Sequence, residues 1–231
     1  YLKPDAFPDA SVFVPPPPAP GSAAQLRDEQ MAAEALTQKG KARWELAARD
    51  ADLSTPDVAV GNFSCAAGFE ISAKATPKLD KLLKNAATNL GMSTAGVKKK
   101  YQRQRPFQSN GQGTCTPDWE AVLTHDFSYP SGHSAIGFGW GLILAELVPD
   151  HGPALVARGM AFGDSRRYCN AHWMSDIESG RLAATNMVAR LHAERAFQKD
   201  MKATRAEIAK ARAVKPTRDC AAEAAALSLS H

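Results

Sequence analysis

The longest apolar stretch of the chain limits the folds that it can adopt. Residues 135–147 contain three glycines and one charged side chain, Glu146, among otherwise apolar residues. A membrane-spanning helix needs about 20 apolar residues, so this stretch is too short to cross a bilayer. A helix that is apolar on all sides must be buried. The stretch therefore predicts a buried helix inside a globular domain.

The remaining sequence is also patterned for helices. Apolar residues recur at helical spacing after Thr76-Pro77, and Ser22 with Gln25 forms the pattern of a capping box. No window of alternating apolar residues is long enough to predict a strand. We therefore expect an all-α, single-domain helical bundle over residues 22–231, preceded by an extended proline-rich arm over residues 1–21. The predicted helices cover residues 23–48 with a break near Gly40, a short segment from residue 54, and residues 77–91, 94–104, 132–147, 152–165, 173–195 and 197–213.

The net charge limits the kinds of ligand and partner that the chain is expected to bind. The 231 residues carry a net charge of +4, and 44% of them are hydrophobic, which is ordinary for a globular protein. A mild positive charge is compatible with a small anionic ligand. The basic run at residues 98–100 has no aromatic platform beside it, so we expect no nucleic-acid partner.

Four cysteines are widely spaced, and none forms the close pair that is typical of a zinc site. An even number favours two disulfides formed in an oxidising compartment, with four buried thiols as the alternative. Our working hypothesis pairs Cys65 with Cys115 and Cys169 with Cys220, although four cysteines allow three connectivities. The chain begins at Tyr1 without a methionine, which is consistent with a processed export product.

Three short blocks carry the chemistry, and the first has the pattern K-x6-R-P. Lys98 and Arg105 are seven residues apart, so on one helix they would face nearly the same side. Lysine supplies a compact charge and arginine a planar fork that grips phosphate oxygens. By itself, this block would also fit a surface lysine and an arginine at a helix end.

The second block is P-S-G-H, directly before the apolar stretch. Ser131, Gly132 and His133 are therefore expected at a helix N-terminus, where free N–H groups and the helix dipole attract anions. The Ser131 hydroxyl could donate to a phosphate oxygen, and His133 could protonate a departing alkoxide. The alternative is an ordinary N-cap followed by a surface histidine.

The third block is S-R-x5-H-x3-D and is the most informative. His172 and Asp176 are four residues apart, so the carboxylate can hold Nδ1–H of the imidazole and leave Nε2 bare as a nucleophile. Arg166 would add a third cation. Alone, the pair would fit an ordinary exposed helix contact.

Together the blocks resemble the signature of the phosphatidic acid phosphatase type 2 superfamily. The resemblance to bacterial class A non-specific acid phosphatases is wider and covers nearly the whole chain, through residues 2–21, 62–65, 132–134 and 163–181. It implies an all-α, single-domain bundle of the type 2 phosphatidic acid phosphatase and vanadium haloperoxidase kind. It also implies a periplasmic or secreted enzyme that needs no metal or cofactor and forms a homodimer or higher homo-oligomer.

The same resemblance implies a role for each block residue. His172 would form a phosphohistidine, Asp176 would orient it, and His133 would protonate the leaving group and later activate water. The expected phosphate ligands are Lys98, Arg105, Ser131, Gly132 and Arg166. Asp164 departs from the neutral glutamine that is typical of the family, and we expect it to pair with Arg166 or Arg167.

These expectations define a hydrolase that acts on small phosphate monoesters, releases inorganic phosphate and has phosphotransferase activity. The mechanism needs one neutral and one protonated histidine, so a bell-shaped, acid-leaning pH profile is expected. The alternatives are a vanadate-dependent haloperoxidase, a lipid phosphate phosphatase, which normally has membrane helices, and a non-catalytic phosphate-binding module.

Overall fold

The computed structural model describes residues 1–228, and within them every regular element is helical. The all-α prediction is therefore confirmed. Short 3₁₀ turns lie at Pro4–Ala6, Ala10–Val12, Pro117–Trp119 and Pro149–His151. The α-helices are α1 (Ala23–Leu36), α2 (Ala42–Ala51), α3 (Val58–Gly61), α4 (Ser64–Ala67), α5 (Pro77–Met92), α6 (Ala95–Tyr101), α7 (Pro106–Asn110), α8 (Glu120–His125), α9 (Gly132–Leu147), α10 (Gly152–Tyr168), α11 (Met174–His192), α12 (Arg195–Ala211) and α13 (Cys220–Ser228).

Helix α9 contains the apolar stretch and lies at the centre of the fold. It packs against α5, α10, α11 and α12, and ten of its residues are buried. The Trp140 indole N–H donates to the Leu83 carbonyl of α5 at 2.8 Å, which satisfies the one polar atom that this side chain brings into the core. Within residues 1–228, no helix is both long and apolar enough to cross a bilayer.

Glycines allow α9 and α10 to approach backbone to backbone. A Cβ built on Gly159 of α10 would lie 2.7 Å from the Gly137 carbonyl oxygen and 3.1 Å from the Gly141 Cα, both on α9. Real side chains do not tolerate contacts this short. This close packing fixes the C-terminal end of α10 relative to the N-terminal end of α9.

Two expectations about local structure are wrong. Helix α6 ends at Tyr101, where Gln102 adopts a left-handed conformation, instead of continuing to residue 104. Arg105 is therefore extended backbone before α7 and does not share a helix with Lys98. The pattern also gave no sign of α13, because its alanine-rich sequence has no clear apolar face.

The expected disulfide pairing is also wrong. The structure joins Cys65 to Cys220 and Cys115 to Cys169, and it contains no free cysteine within residues 1–228. The two disulfides do form, as predicted, but the pairing follows from packing. Helix α13 lies beside α2 with Cys220 close to α4, and Cys115 lies beside the end of α10.

The N-terminal arm lies on the body of the bundle. Ala10 and Val14 are buried in a cluster with Val97, Tyr129 and Ala183, and the Tyr129 hydroxyl donates to the Pro15 carbonyl. The arm thus covers the segment between α8 and α9. Its division from the bundle at residue 21 stays a prediction.

The close contact between α9 and α10 gives a stability prediction. Gly159→Ala should lower the free energy of unfolding by roughly 2 kcal/mol or more, because the added methyl overlaps backbone. Gly96→Ala is the matched control, since Gly96 is exposed in α6 and its Cβ would meet nothing within 4 Å. Urea denaturation with the disulfides intact should show this control unchanged or up to about 1 kcal/mol more stable. Equal stability of the two variants would contradict the packing argument.

Candidate active site

The structure brings the three blocks to one place. Lys98 comes from α6 and Arg105 from the link to α7, while Ser131 caps the N-terminus of α9. Arg166 is in the last turn of α10, and the main chain then folds back so that the amides of Ala171 and His172 both donate to the Arg166 carbonyl. This turn sets the imidazole of His172 beside the cations.

His172 is buried, and its two ring nitrogens have different partners. Nη1 of Arg105 lies 2.8 Å from Nε2, and Oδ2 of Asp176 lies 3.3 Å from Nδ1. An arginine can only donate, so Nε2 must be the bare nitrogen and Nδ1 must carry the proton. The contacts therefore select the tautomer that leaves a nucleophilic lone pair on Nε2.

The surroundings of His172 keep its imidazole neutral. Burial first, and then the charges of Arg105, Lys98 and Arg166, hold the pKa of His172 well below its ordinary value. A neutral ring near neutral pH is what a nucleophile requires.

Asp176 is the centre of a buried network that the sequence analysis missed. Its Oδ1 accepts from Arg103 Nη1 at 2.7 Å, and Oδ2 accepts from the Trp173 amide at 2.9 Å and from the Ser128 hydroxyl. Arg103 in turn donates to Asp28 of α1 at 2.8 Å. Burial raises the pKa of Asp176, and the Arg103 charge opposes that rise. Arg103 therefore holds in place the Asp176 carboxylate that faces His172.

Arg105 is held by the segment that follows α8. Its Nε donates to the carbonyls of Leu123 and Asp126, at 3.0 and 2.7 Å, and Nη1 donates to the Ala171 carbonyl at 2.9 Å. Only 1% of the residue is exposed. The guanidinium is therefore fixed in position by main-chain atoms before any ligand arrives.

Lys98 faces the same segment. Its Nζ donates to the Asp126 carboxylate at 3.2 Å and to the Phe127 carbonyl. Burial, with the nearby Arg105 charge, lowers the pKa of Lys98 to about 8. The charge on this ammonium is thus sensitive to pH in the range above neutrality.

Arg166 differs from Arg105 in having open donors. Its side chain is buried, yet its Nε has no hydrogen-bond partner within residues 1–228, and Nη1 reaches only the Cys169 sulfur at 3.8 Å. Burial first, and then the Arg105 charge, lowers the pKa of Arg166 to about 9. Burying a guanidinium with unsatisfied donors costs free energy unless an anion accepts hydrogen bonds from them.

The N-terminus of α9 adds neutral donors. The Ser131 hydroxyl accepts from the Ser134 amide at 3.2 Å, and the Ser131 amide donates to the Asp176 carbonyl at 2.9 Å. The first amides of the helix, those of Gly132 and His133, have no intrahelical acceptor. A Cβ at Gly132 would meet Thr94 Oγ1 at an ordinary 3.6 Å, so protein packing alone does not demand glycine there.

His133 lies in the first turn of α9 and is partly buried. Its Nε2 donates to the Ala51 carbonyl at 3.0 Å, so the proton on that nitrogen is committed and Nδ1 is left for exchange. Burial and the Arg166 charge hold the pKa of His133 well below its ordinary value. With Arg166, His133 lines a cleft of about 270 Å³ whose other walls come from Ala51, Asp52, Leu53, Ser54, Thr116, Trp119 and Leu123.

Asp164 and Ser165, just before Arg166 in the chain, make contacts that stabilise the fold. Asp164 pairs with Arg181 of α11 at 2.6 Å, so the expected pairing with Arg166 or Arg167 is wrong. Ser165 donates to the buried Asp50 at 2.6 Å. Within residues 1–228, no three histidine, cysteine, aspartate or glutamate side chains come together as a metal site.

Comparison with known proteins identifies the family. A sequence model of the PAP2 superfamily matches residues 82–197, which include all three blocks. The chain therefore belongs to the PAP2 superfamily.

Individual relatives then narrow the family. The chain is 39% identical over 211 residues to an acid phosphatase of Zymomonas mobilis, which covers 91% of this chain and 80% of that protein. It is also 39% identical over 211 residues to a non-specific acid phosphatase of Providencia stuartii, covering 91% and 85% of the two chains. A non-specific acid phosphatase of Salmonella typhimurium is 39% identical over 209 residues, covering 90% and 83%. The resemblance to the class A non-specific acid phosphatases is thus confirmed.

The network around Asp176 gives a second prediction. Arg103→Ala should lower the free energy of unfolding by roughly 3–5 kcal/mol at pH 7, because it leaves two buried carboxylates without their cation. It also raises the pKa of Asp176 further above the unfolded value. The penalty should therefore be larger at pH 7, where the unfolded carboxylate is ionised, than at pH 4.

Arg27→Ala is the matched control for this experiment. Arg27 also links α1 to α11, through the exposed Glu178 at 2.8 Å, and its loss should cost less than about 1 kcal/mol at either pH. Denaturant unfolding at the two pH values measures both variants. A similar, pH-independent loss in the two would show that Arg103 does not hold Asp176.

Proposed function

We propose that this protein is an acid phosphatase that hydrolyses phosphate monoesters through a phosphohistidine on Nε2 of His172. The observation that carries the proposal is the bare Nε2, selected by Asp176 and Arg105, in a cup of cations formed by Lys98, Arg105 and Arg166. The names of the relatives that match most of the chain support the same activity and favour it over the haloperoxidase alternative.

The proposed cup binds the phosphoryl group through charge and fixed dipoles. Arg166 brings open donors and lines the cleft beside His133, Lys98 brings a point charge beside Arg105, and the start of α9 offers free amides. A phosphate oxygen close to Gly132 would explain a glycine that protein packing does not require. Phosphoryl transfer needs positioning and neutralisation of the equatorial oxygens, so this set replaces a metal ion and we propose metal-independent turnover.

The reaction proceeds in two displacements. In the first, the Nε2 lone pair of His172 forms the P–N bond while the ester P–O bond breaks, and the leaving alkoxide takes a proton from Nδ1 of His133. In the second, His133 takes a proton from water, the water oxygen attacks phosphorus, and the P–N bond breaks to release phosphate. An alcohol in place of water gives phosphotransfer by the same step.

Substrate binding itself favours the protonated form of His133. Burial and cations hold the pKa of His133 low, and the negative charge of a bound phosphoryl group offsets those cations and raises it. Binding therefore prepares the general acid, and rates should favour acidic solution. The cleft beside His133 receives the leaving group, and apart from Asp52 and Arg166 its walls are apolar or neutral, which supports broad specificity for small phosphate monoesters.

The proposed location is the periplasm or the exterior of the cell. Two disulfides with no free cysteine within residues 1–228 are typical of proteins that fold in an oxidising compartment. A homodimer or higher homo-oligomer stays a prediction from the resemblance.

His172→Ala tests the nucleophile. It should lower hydrolysis of p-nitrophenyl phosphate by at least about 10⁴-fold, yet keep binding of inorganic phosphate, because the cations remain. The wild-type phosphoenzyme should be acid-labile and alkali-stable, as a phosphoramidate is. His192→Ala at the far end of α11 should behave like the wild type. Comparable turnover by His172→Ala would contradict the assignment.

Lys98→Arg tests the pH dependence of phosphate binding. Lys98 is charged below its pKa of about 8 and loses its charge as pH rises through that value. Inhibition of the wild-type enzyme by inorganic phosphate should therefore weaken between pH 7 and 9. Inhibition of the variant should weaken less, because its arginine stays charged. Lys99→Arg on the exposed side of α6 is the control. Parallel loss in all three proteins would remove Lys98 from the binding site.

A further inference from the structure

Asp126 has no role in the proposed reaction, yet its carboxylate contacts two of the proposed phosphate ligands. Oδ2 lies 2.9 Å from Arg105 Nη2 and 3.2 Å from Lys98 Nζ. A phosphoryl oxygen bound by these two cations would use the same donors. Two anions on one pair of cations repel each other strongly.

The hydrogen bonds of Arg105 show why the carboxylate has to give way. A guanidinium has five N–H groups, and all five have acceptors here. Nε donates to two main-chain carbonyls, Nη1 to a third carbonyl and to His172 Nε2, and Nη2 to Asp126 Oδ2 and, at 3.4 Å, to the Phe127 carbonyl. A phosphoryl group can enter only by replacing a side-chain acceptor. His172 Nε2 turns to phosphorus in the attack, which leaves the Asp126 carboxylate as the second acceptor to be displaced.

Burial shows which partner can move. The Asp126 side chain is 53% exposed, whereas those of Arg105 and Lys98 are 1% and 12% exposed. The carboxylate can therefore rotate into water while the cations stay in place. The main-chain carbonyl of Asp126 keeps its contact with Arg105 Nε, so the guanidinium remains anchored to Asp126.

We propose that Asp126 is an internal competitor for the phosphate site, an inference that rests on the proposed function. Its carboxylate holds Lys98 and Arg105 until the phosphoryl group displaces it, and it takes the donors back when inorganic phosphate leaves. Asp126 thereby weakens retention of the product and sets the phosphate affinity of the enzyme. Arg166, with its open Nε, is the cation that the incoming anion meets without competition.

Calorimetric titration with inorganic phosphate at low ionic strength tests this proposal on the full chain. Asp126→Asn should bind phosphate roughly three- to tenfold more tightly than the wild type, because one competing charge is removed from two cations. Asp126→Ala should shift affinity in the same direction and serves if the asparagine variant is unstable. Asp118→Asn is the matched control. It removes a charge from the nearby turn Pro117–Trp119, and within residues 1–228 no ion pair joins Asp118 to either cation.

The outcomes separate this inference from the proposed function. Tighter binding by the Asp126 variants, with the control within about twofold of wild type, supports competition. Unchanged or weaker binding, with the wild type still binding phosphate, overturns the inference alone and makes Asp126 an orienting partner of the cations. Failure of the wild type to bind phosphate would overturn the proposed function together with it.

A crystal structure of the wild type with phosphate gives an independent measurement. The Asp126 carboxylate should then lie more than 4 Å from Lys98 Nζ, with phosphate oxygens on both cations. A carboxylate that keeps both contacts beside bound phosphate would overturn the proposal.

Discussion

The site depends on holding three cationic side chains together away from water. Burial lowers the pKa of Lys98, Arg105 and Arg166, and the Arg105 charge raises the cost of charging Lys98 and Arg166. The protein meets this cost with main-chain carbonyls around Arg105 and with Asp126 across Lys98 and Arg105. It leaves Arg166 incompletely satisfied. The remaining positive charge is a physical reason for the cup to select a small, highly charged anion.

The fold supplies the rigidity that such a cup needs. The glycine contacts between α9 and α10 fix the end that carries Arg166 against the start of the helix that carries Ser131 and His133. Helix α11 approaches the same point, because a Cβ on Gly180 would lie 2.4 Å from the Ser131 carbonyl. Small residues thus set the distances between charged groups that would otherwise separate.

Sequence patterns predicted those features that depend on residues close together in the chain. The apolar run gave α9, and the spacing of His172 and Asp176 gave the imidazole–carboxylate contact, because both depend on residues within a few turns of one another. The link between Arg103 and Asp28 joins residues 75 apart, so no local pattern reveals it. The disulfide pairing and the early end of α6 likewise depend on what packs against them. Asp126 lies in the loop before the second block, and no sequence motif marks it.

The bond between Cys115 and Cys169 closes a ring that spans 54 positions of sequence. This ring includes Asp126, Ser131, His133 and Arg166 and all of α9 and α10, while Lys98, Arg105 and His172 lie just outside it. In the unfolded but oxidised chain, one half of the cup is therefore already confined to a small volume. Assembly of the cup then requires Lys98, Arg105 and His172 to dock onto this loop from its two flanks, and the wider ring closed by Cys65 and Cys220 confines those three residues too.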